Sequence, residues 1–200
     1  MADQYPLPTA LLVVDVQKNL TQSEDPRQPP CWNLDQTLTN MEALIAKARS
    51  TGADVIYVQH DSLTDPFLQR GQPGFDFEPR IAPADGDTII GKRVCNVFAE
   101  TDIKDQLVAR GIEHYVVCGI QSDYCVDMAA KGGLSAGFLV TLASDAHTTW
   151  DNGVLTAEQI IAHHNVNVAD MSGPNAKVLV RPTADIAFAP SKVVNTDRAC

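Results

Sequence analysis

Positive charge is scarce in this chain. Fifteen lysines and arginines stand against 25 aspartates and glutamates, a formal net charge of −10. Nucleic acids and anionic membrane surfaces are held by clustered Lys and Arg, so neither is expected as a partner. Long apolar runs are missing too. No stretch approaches the roughly 18 residues of a membrane-spanning helix, and the opening MADQYPLPTA has neither the basic nor the apolar region of a secretory signal. Cysteines are few and odd in number, at 31, 95, 118, 125 and 200, without the paired spacing of a zinc ribbon. Free thiols of this kind suit a reducing compartment, and a soluble cytoplasmic protein is expected. Linkers, internal repeats and low-complexity tracts are absent, so one domain is expected over 1–200, with its core at about 10–171.

What is present alternates. Short apolar, β-branched runs at 10–16 (ALLVVDV), 54–58 (DVIYV), 87–91 (DTIIG), 115–118 (YVVC), 137–142 (GFLVTL) and 177–180 (KVLV) read as strands. Helical spacing covers 34–49, stopped at Thr51-Gly52, then 102–110, closed by Gly111, then a helix opening at Tyr124, and finally 155–168. Six strands alternating with helices predict an α/β protein: a doubly wound, Rossmann-like six-stranded parallel sheet with helices on both faces. Two stretches interrupt the pattern. Residues 21–32 are polar and proline-rich, a loop that can wall the site. Residues 62–86 carry four prolines with Phe67, Phe75 and Phe77. A loop that long in a compact domain is functional or lid-like, and its rings are expected to pack on the body or on a neighbouring subunit. Beyond 181 the patterning weakens into a tail packed on the surface or on a partner.

In open α/β sheets ligands bind at the carboxyl ends of the strands. Asp15 falls there on the first strand, Lys92 just after the third and Cys125 just past the fourth. Ser122 and Asp123 are good N-cap types, which would put Cys125 in the first turn of a helix. The N–H groups of that turn favour thiolate over thiol and can receive a developing oxyanion. Each residue taken singly has a plainer account: a carboxylate capping the next loop, a solvated lysine, a small core cysteine. Together they form a hydrolytic set. The cysteine attacks a carbonyl carbon, the carboxylate takes the thiol proton and returns it to the leaving group, and the lysine stabilises the charged forms. Gln17, Phe98, Tyr124, His147 and Trp150 are the candidate substrate contacts, although an aromatic near a cleft is often core and His147 can instead satisfy its loop. His60-Asp61 lacks the further converging ligands a metal needs. No metal or cofactor is expected, and His60 is assigned to capping its strand. His163, His164, Cys31, Cys95 and Cys118 are assigned to structure and packing.

The motifs LLVVDVQKN, GKRVCNVF, VVCGIQSDYCVD and GFLVTLASDAHTTW, in that order over about 10–171, resemble the isochorismatase-like cysteine hydrolases. The resemblance implies a six-stranded parallel sheet, with Asp15 as general base, Lys92 as third member and Cys125 as nucleophile. It also implies a non-proline cis peptide between Ile120 and Gln121, an oxyanion hole from the backbone N–H groups of Gln121 and Cys125, and a homodimer or homotetramer. Members acting on nicotinamide carry a metal-binding Asp-x-His after the second strand; this chain has YVQHDS and departs from them. It also has Ala129 where the family often has Thr, then Lys131-Gly132-Gly133. Two glycines cost about 1 kcal/mol each inside a helix, so close packing is expected there. DAHTTW and IIAHHN are similar to a branch that cleaves amides and lactams. The expected function is therefore C–N hydrolysis of a small amide or lactam through a thioester. The alternatives are vinyl-ether hydrolysis of an isochorismate-like acid and, from another class, a non-catalytic binding protein on the same fold. A redox-sensing thiol would lack an evident resolving cysteine.

Overall fold

The computed structural model describes residues 7–22, 29–169, 171–174 and 176–191. In chain order it contains β1 (Thr9–Val14), α1 (Lys18–Thr21), α2 (Leu34–Thr51), β2 (Asp54–His60), β3 (Thr88–Lys92), α3 (Ile103–Ala109), β4 (His114–Ile120), α4 (Asp127–Ala136), β5 (Leu139–Thr148), α5 (Ala157–Ala169) and β6 (Val178–Arg181). Every residue of β1 is buried. A strand covered on both faces has no solvent side, which is why its sequence is continuously apolar rather than alternating. The sheet order is β3-β2-β1-β4-β5-β6, and each neighbouring pair is parallel. The winding reverses between β1 and β4, so a crevice opens there at the carboxyl ends of the strands. Alternate residues of β1 feed two cores. Leu12 and Val14 pack with Ile103, Val117 and Val126 on one face, while Leu11 and Val13 pack with Met41, Leu44 and Val116 on the other. Helix α2 ends where the sequence places its stop. Gly52 adopts φ 74°, and its N–H reaches the Ala48 and Arg49 carbonyls.

Two strand ends differ from the sequence reading. Gly119 does not end β4, which runs on to Ile120. Gly119 sits at φ 134°, and a Cβ there would collide with the Val14 carbonyl oxygen, so the strand continues because glycine lets β4 press against β1. Nor does β5 end at Leu142. The step from Leu142 to His147 on β5 spans only Val117 to Gly119 on β4, and pairing resumes at Gly119↔His147 and Ile120↔Thr148. An irregularity of this kind re-aims side chains beside a site. It carries DAHT, which lies beyond the run read as a strand, into β5 alongside the last residues of β4.

The segment between β2 and β3 folds as three single 3₁₀ turns, Pro66–Leu68, Pro73–Phe75 and Pro79–Ile81. Each opens on a proline, whose missing N–H is no loss at that position. Phe75 is buried and Phe77 packs edge-on to Tyr57 at 5.4 Å, whereas Phe67 is exposed. In the tail, Ile186 and Phe188 are buried with the α2 core and Thr9 N–H donates to the Ala189 carbonyl at 3.1 Å; Cys200 lies outside the described residues. The close packing expected at Gly132-Gly133 is present: a Cβ on Gly133 would strike the Tyr115 hydroxyl, which donates to the Ala129 carbonyl at 2.6 Å. No helix among the described residues is long and apolar enough to cross a membrane.

Candidate active site

After β1 the chain turns at Asp15, whose φ of 51° is a left-handed conformation that aspartate tolerates better than most residues. The turn is held from both sides: Asp15 N–H donates to the Val58 carbonyl and Gln17 N–H to the Asp15 carbonyl, both at 3.0 Å. Strand β3 delivers Lys92 as its last residue, opposite His60, the last of β2. After β4 comes one turn of π-helix, Ser122–Val126, in which Val126 N–H reaches back five residues to the Gln121 carbonyl at 3.1 Å. Cys125 lies within that turn, and the Ile120–Gln121 peptide is cis. Ser122 and Asp123 do not cap it. Ser122 Oγ is 2.7 Å from His147 Nδ1, and Asp123 Oδ1 accepts from Thr149 Oγ1 at 2.6 Å. Both side chains are drawn sideways, to the end of β5 and to the residue after it, which fastens the turn to the sheet.

Three side chains converge on one ammonium. Lys92 Nζ lies 2.6 Å from Asp15 Oδ2, with the two side chains 0% and 2% exposed. It donates to Cys125 Sγ at 3.2 Å and lies 3.1 Å from His60 Nδ1. An ammonium has three protons and no lone pair, and here it has hydrogen-bond partners in Cys125 and His60 and an ion-pair partner in Asp15. Neither Asp15 oxygen receives a well-angled hydrogen bond, so the carboxylate is compensated by the nearby charge and keeps lone pairs for a proton.

Burial works against the Lys92 charge, but Asp15 and Cys125 together outweigh it and hold the ammonium's pKa above its ordinary value. At Cys125 the balance runs opposite to the sequence expectation. Burial first and the Asp15 carboxylate second push the thiol up, and Lys92 offsets only part of this. The reason is the charge count: Asp15 and Lys92 already cancel, so a thiolate would leave a net negative charge in a buried cluster. The resting Cys125 is a thiol beside a base. His60 is pushed down, by burial and then by Lys92, and is a neutral imidazole near pH 7.

A cavity of about 390 Å³ opens over Asp15 and Cys125, with His60, Gln121, Tyr124 and Trp150 around it. The loop between β2 and β3 walls it with Ser62, Asp65 and Leu68. Trp150 is braced from the preceding loop, its indole N–H donating to the Pro29 carbonyl. Tyr124 and Trp150, both candidate substrate contacts, line this cavity. Three other candidate contacts do not. Gln17 is buried and spent on structure, its amide clasping the His60 backbone and donating to the Phe75 carbonyl at 2.9 Å. Phe98 packs on Tyr115 and Phe138 in the core. His147 is buried between Ser122 and Asn165. Cys95, assigned to packing, is instead exposed and borders the cavity. His60 was missed as a site residue. Its signal was position, since it ends one strand beside the strand that Lys92 ends. Among the described residues, no cluster of three or more His, Cys, Asp or Glu is fit to hold a metal.

The buried histidines make acid stability predictable. Burial lowers His147 and His114 from 6.5 to about 4. In the unfolded chain both protonate near 6.5, so their contribution is fully present above that pH and drains away as pH falls toward 4. The expected loss is roughly 3 kcal/mol per ring, seen as a falling urea midpoint between pH 6.5 and 4. A His147→Gln variant should show a shallower fall; an unchanged midpoint across that window in the wild type would remove the burial argument.

An open parallel sheet with a buried acid, lysine and thiol at its switch point is the construction of an α/β cysteine hydrolase. A profile of the isochorismatase domain matches residues 9–171, and the chain belongs to the isochorismatase family of hydrolases. The isochorismatase-family protein YddQ of Bacillus subtilis is 27% identical over 169 residues, covering 84% of this chain and 91% of that protein. A streptothricin hydrolase of Streptomyces noursei is 32% identical over 142 residues, 71% of this chain; the match spans 50% of that protein's length. The crystal structure of an isochorismatase-family hydrolase from Chromobacterium violaceum superimposes with a TM-score of 0.75 at 27% identity, covering 92% of this chain and 96% of that one.

Proposed function

We propose that this protein hydrolyses the C–N bond of a small amide or lactam through a thioester on Cys125. The observation that carries the proposal is the contact of one buried ammonium with both the Asp15 carboxylate and the Cys125 sulfur beneath an open cavity. In the first half-reaction Cys125 Sγ bonds to the carbonyl carbon as its proton passes to Asp15. The oxyanion is received by the backbone N–H groups of Gln121 and Cys125. It then collapses, the C–N bond breaks, and Asp15 gives its proton to the departing nitrogen. In the second half-reaction water attacks the thioester and yields a proton to Asp15, the C–S bond breaks, and the sulfur regains that proton. Lys92 keeps a positive charge against the carboxylate–sulfur pair throughout, so the buried cluster never carries more than one net negative charge.

Cavity charge favours this over vinyl-ether hydrolysis of an isochorismate-like acid. Among the described residues, the lining holds the carboxylates of Asp15 and Asp65 and no arginine or lysine. Arg70 and Arg93, the nearby cations in sequence, both turn to Asp61. A dianionic substrate would meet carboxylates without a partner, whereas a neutral or cationic amide would not. The likeness to streptothricin hydrolase points the same way.

The test is amine or ammonia release from a panel of small amides and lactams, with an isochorismate-like acid alongside and intact-mass detection of acylated Cys125. Cys125→Ala is expected to lose about 10⁴-fold or more in turnover and to acquire no adduct. Turnover of the acid alone would favour the vinyl-ether reading; a Cys125→Ala protein as active as wild type would end the proposal.

A further inference from the structure

We propose that His60 is a fourth member of the site, a positioning residue whose Nδ1 accepts a proton of the Lys92 ammonium and thereby holds that ammonium between the Asp15 carboxylate and the Cys125 sulfur. This rests on the cysteine-hydrolase reading above.

The argument is one of proton and lone-pair counting. An ammonium has no lone pair, so an imidazole nitrogen 3.1 Å away must be the acceptor. The single proton of the neutral ring is then on Nε2. The charges facing the ring are Lys92, which opposes its protonation, and the carboxylates of Asp15, Asp61 and Asp65, which favour it. With burial, Lys92 prevails, and the ring stays an acceptor at neutral pH.

The surroundings are built to hold this bond. The His60 N–H donates to Gln17 Oε1 at 2.8 Å and its carbonyl accepts from Gln17 Nε2 at 3.0 Å, so one buried amide clasps both polar groups of a single peptide position. On the other side His60 pairs in register with Lys92 itself, and the next N–H, that of Asp61, donates to the Lys92 carbonyl at 2.8 Å. Each partner of the Nδ1–Nζ contact is therefore fixed at its backbone. The mechanical consequence falls on Nζ. With two acceptors of unequal strength, the ammonium would swing toward the carboxylate and away from the sulfur. A further acceptor on a fixed backbone anchors Nζ and keeps it within 3.2 Å of Cys125 Sγ. A side chain displaced by an ångström is enough to cost about a hundredfold in rate.

Two variants separate this role from simple packing. His60→Asn carries an oxygen close to the place of Nδ1; His60→Phe keeps the ring volume and has no acceptor. Both are checked for cooperative unfolding. His60→Phe is expected to lower kcat by about tenfold to a hundredfold with KM little changed, and to move the pH midpoint of Cys125 alkylation upward. His60→Asn is expected to restore most of both. Independently, ¹⁵N NMR of the wild-type protein should show the His60 proton on Nε2, with the preference relaxed in Lys92→Met. Equal behaviour of folded His60→Asn and His60→Phe, or a proton on Nδ1 in the wild type, overturns the proposal. If the wild type hydrolyses none of the panel, the enzymatic reading fails, while the alkylation and NMR arms still decide whether His60 holds Lys92.

Discussion

With Asp15 replaced by asparagine, Cys125 is expected to alkylate faster near pH 7 while amide hydrolysis falls by about 10²–10⁴-fold. The opposite signs follow from the two things Asp15 does. As a charge it raises the Cys125 thiol, in the same direction as burial. Removing it leaves Lys92 as the nearest charge to the sulfur, 3.2 Å away, so the thiol titrates lower and more thiolate is present at a given pH. A small alkylating reagent needs only thiolate. An amide needs more, because its leaving nitrogen must receive a proton and asparagine has none to return. Measuring the iodoacetamide rate at Cys125 against pH by mass spectrometry, beside turnover, tests both limbs. A variant in which alkylation and turnover slow together would mean that Asp15 positions the cysteine rather than exchanging protons with it. Unchanged turnover would remove Asp15 from the chemistry.

Lys92→Met is expected to destabilise the fold by about 3–5 kcal/mol, the cost of leaving one member of a buried ion pair alone. Asp15 is 1% exposed and has no well-angled hydrogen bond to fall back on, so the ammonium at 2.6 Å is its compensation. The single Asp15→Asn change is expected to cost less, because the freed ammonium retains His60 and Cys125 as acceptors. The double variant, with neither charge, should recover most of the loss in Lys92→Met. Urea midpoints of the four proteins close this cycle. A Lys92→Met protein as stable as wild type, or a double variant no better than the worse single one, would show that the pair is not held by mutual charge. Turnover should be lost in all three variants, including the double one whose stability returns, since stability and catalysis draw on the same contact in different ways.

Much of the site was legible because strand ends are legible. The apolar run before Asp15, the run closing at Lys92 and the run before Cys125 each end on the same edge of a parallel sheet, so the topology alone brings the three residues to one side. Their contact needed only the order β3-β2-β1-β4 found in the sheet. Three substrate contacts were misplaced for a common reason. Gln17, Phe98 and His147 are close in sequence to the triad or to a strand end, yet a polar or aromatic side chain one turn away can point into the body. Gln17 clasps the His60 backbone, Phe98 joins two other rings, and His147 is carried by a register shift to Ser122. The shift itself could not be read, because it lies in how β5 pairs with β4, five steps along one strand against two along the other, and no stretch of sequence contains both strands.

The sequence by itself determined the fold class, the edge of the sheet that carries chemistry and the three residues that meet there, because hydrophobic periodicity and the handed winding of parallel strands are local rules with one compact outcome. Tertiary structure decided everything that depends on counting neighbours across strands: that the Cys125 thiol is raised rather than lowered, that His60 takes a proton of Lys92, and that the cavity, among the described residues, shows carboxylates and no arginine or lysine. Charge and hydrogen-bond balance in a buried site are sums over groups distant in the chain, and no single stretch of sequence contains all the terms.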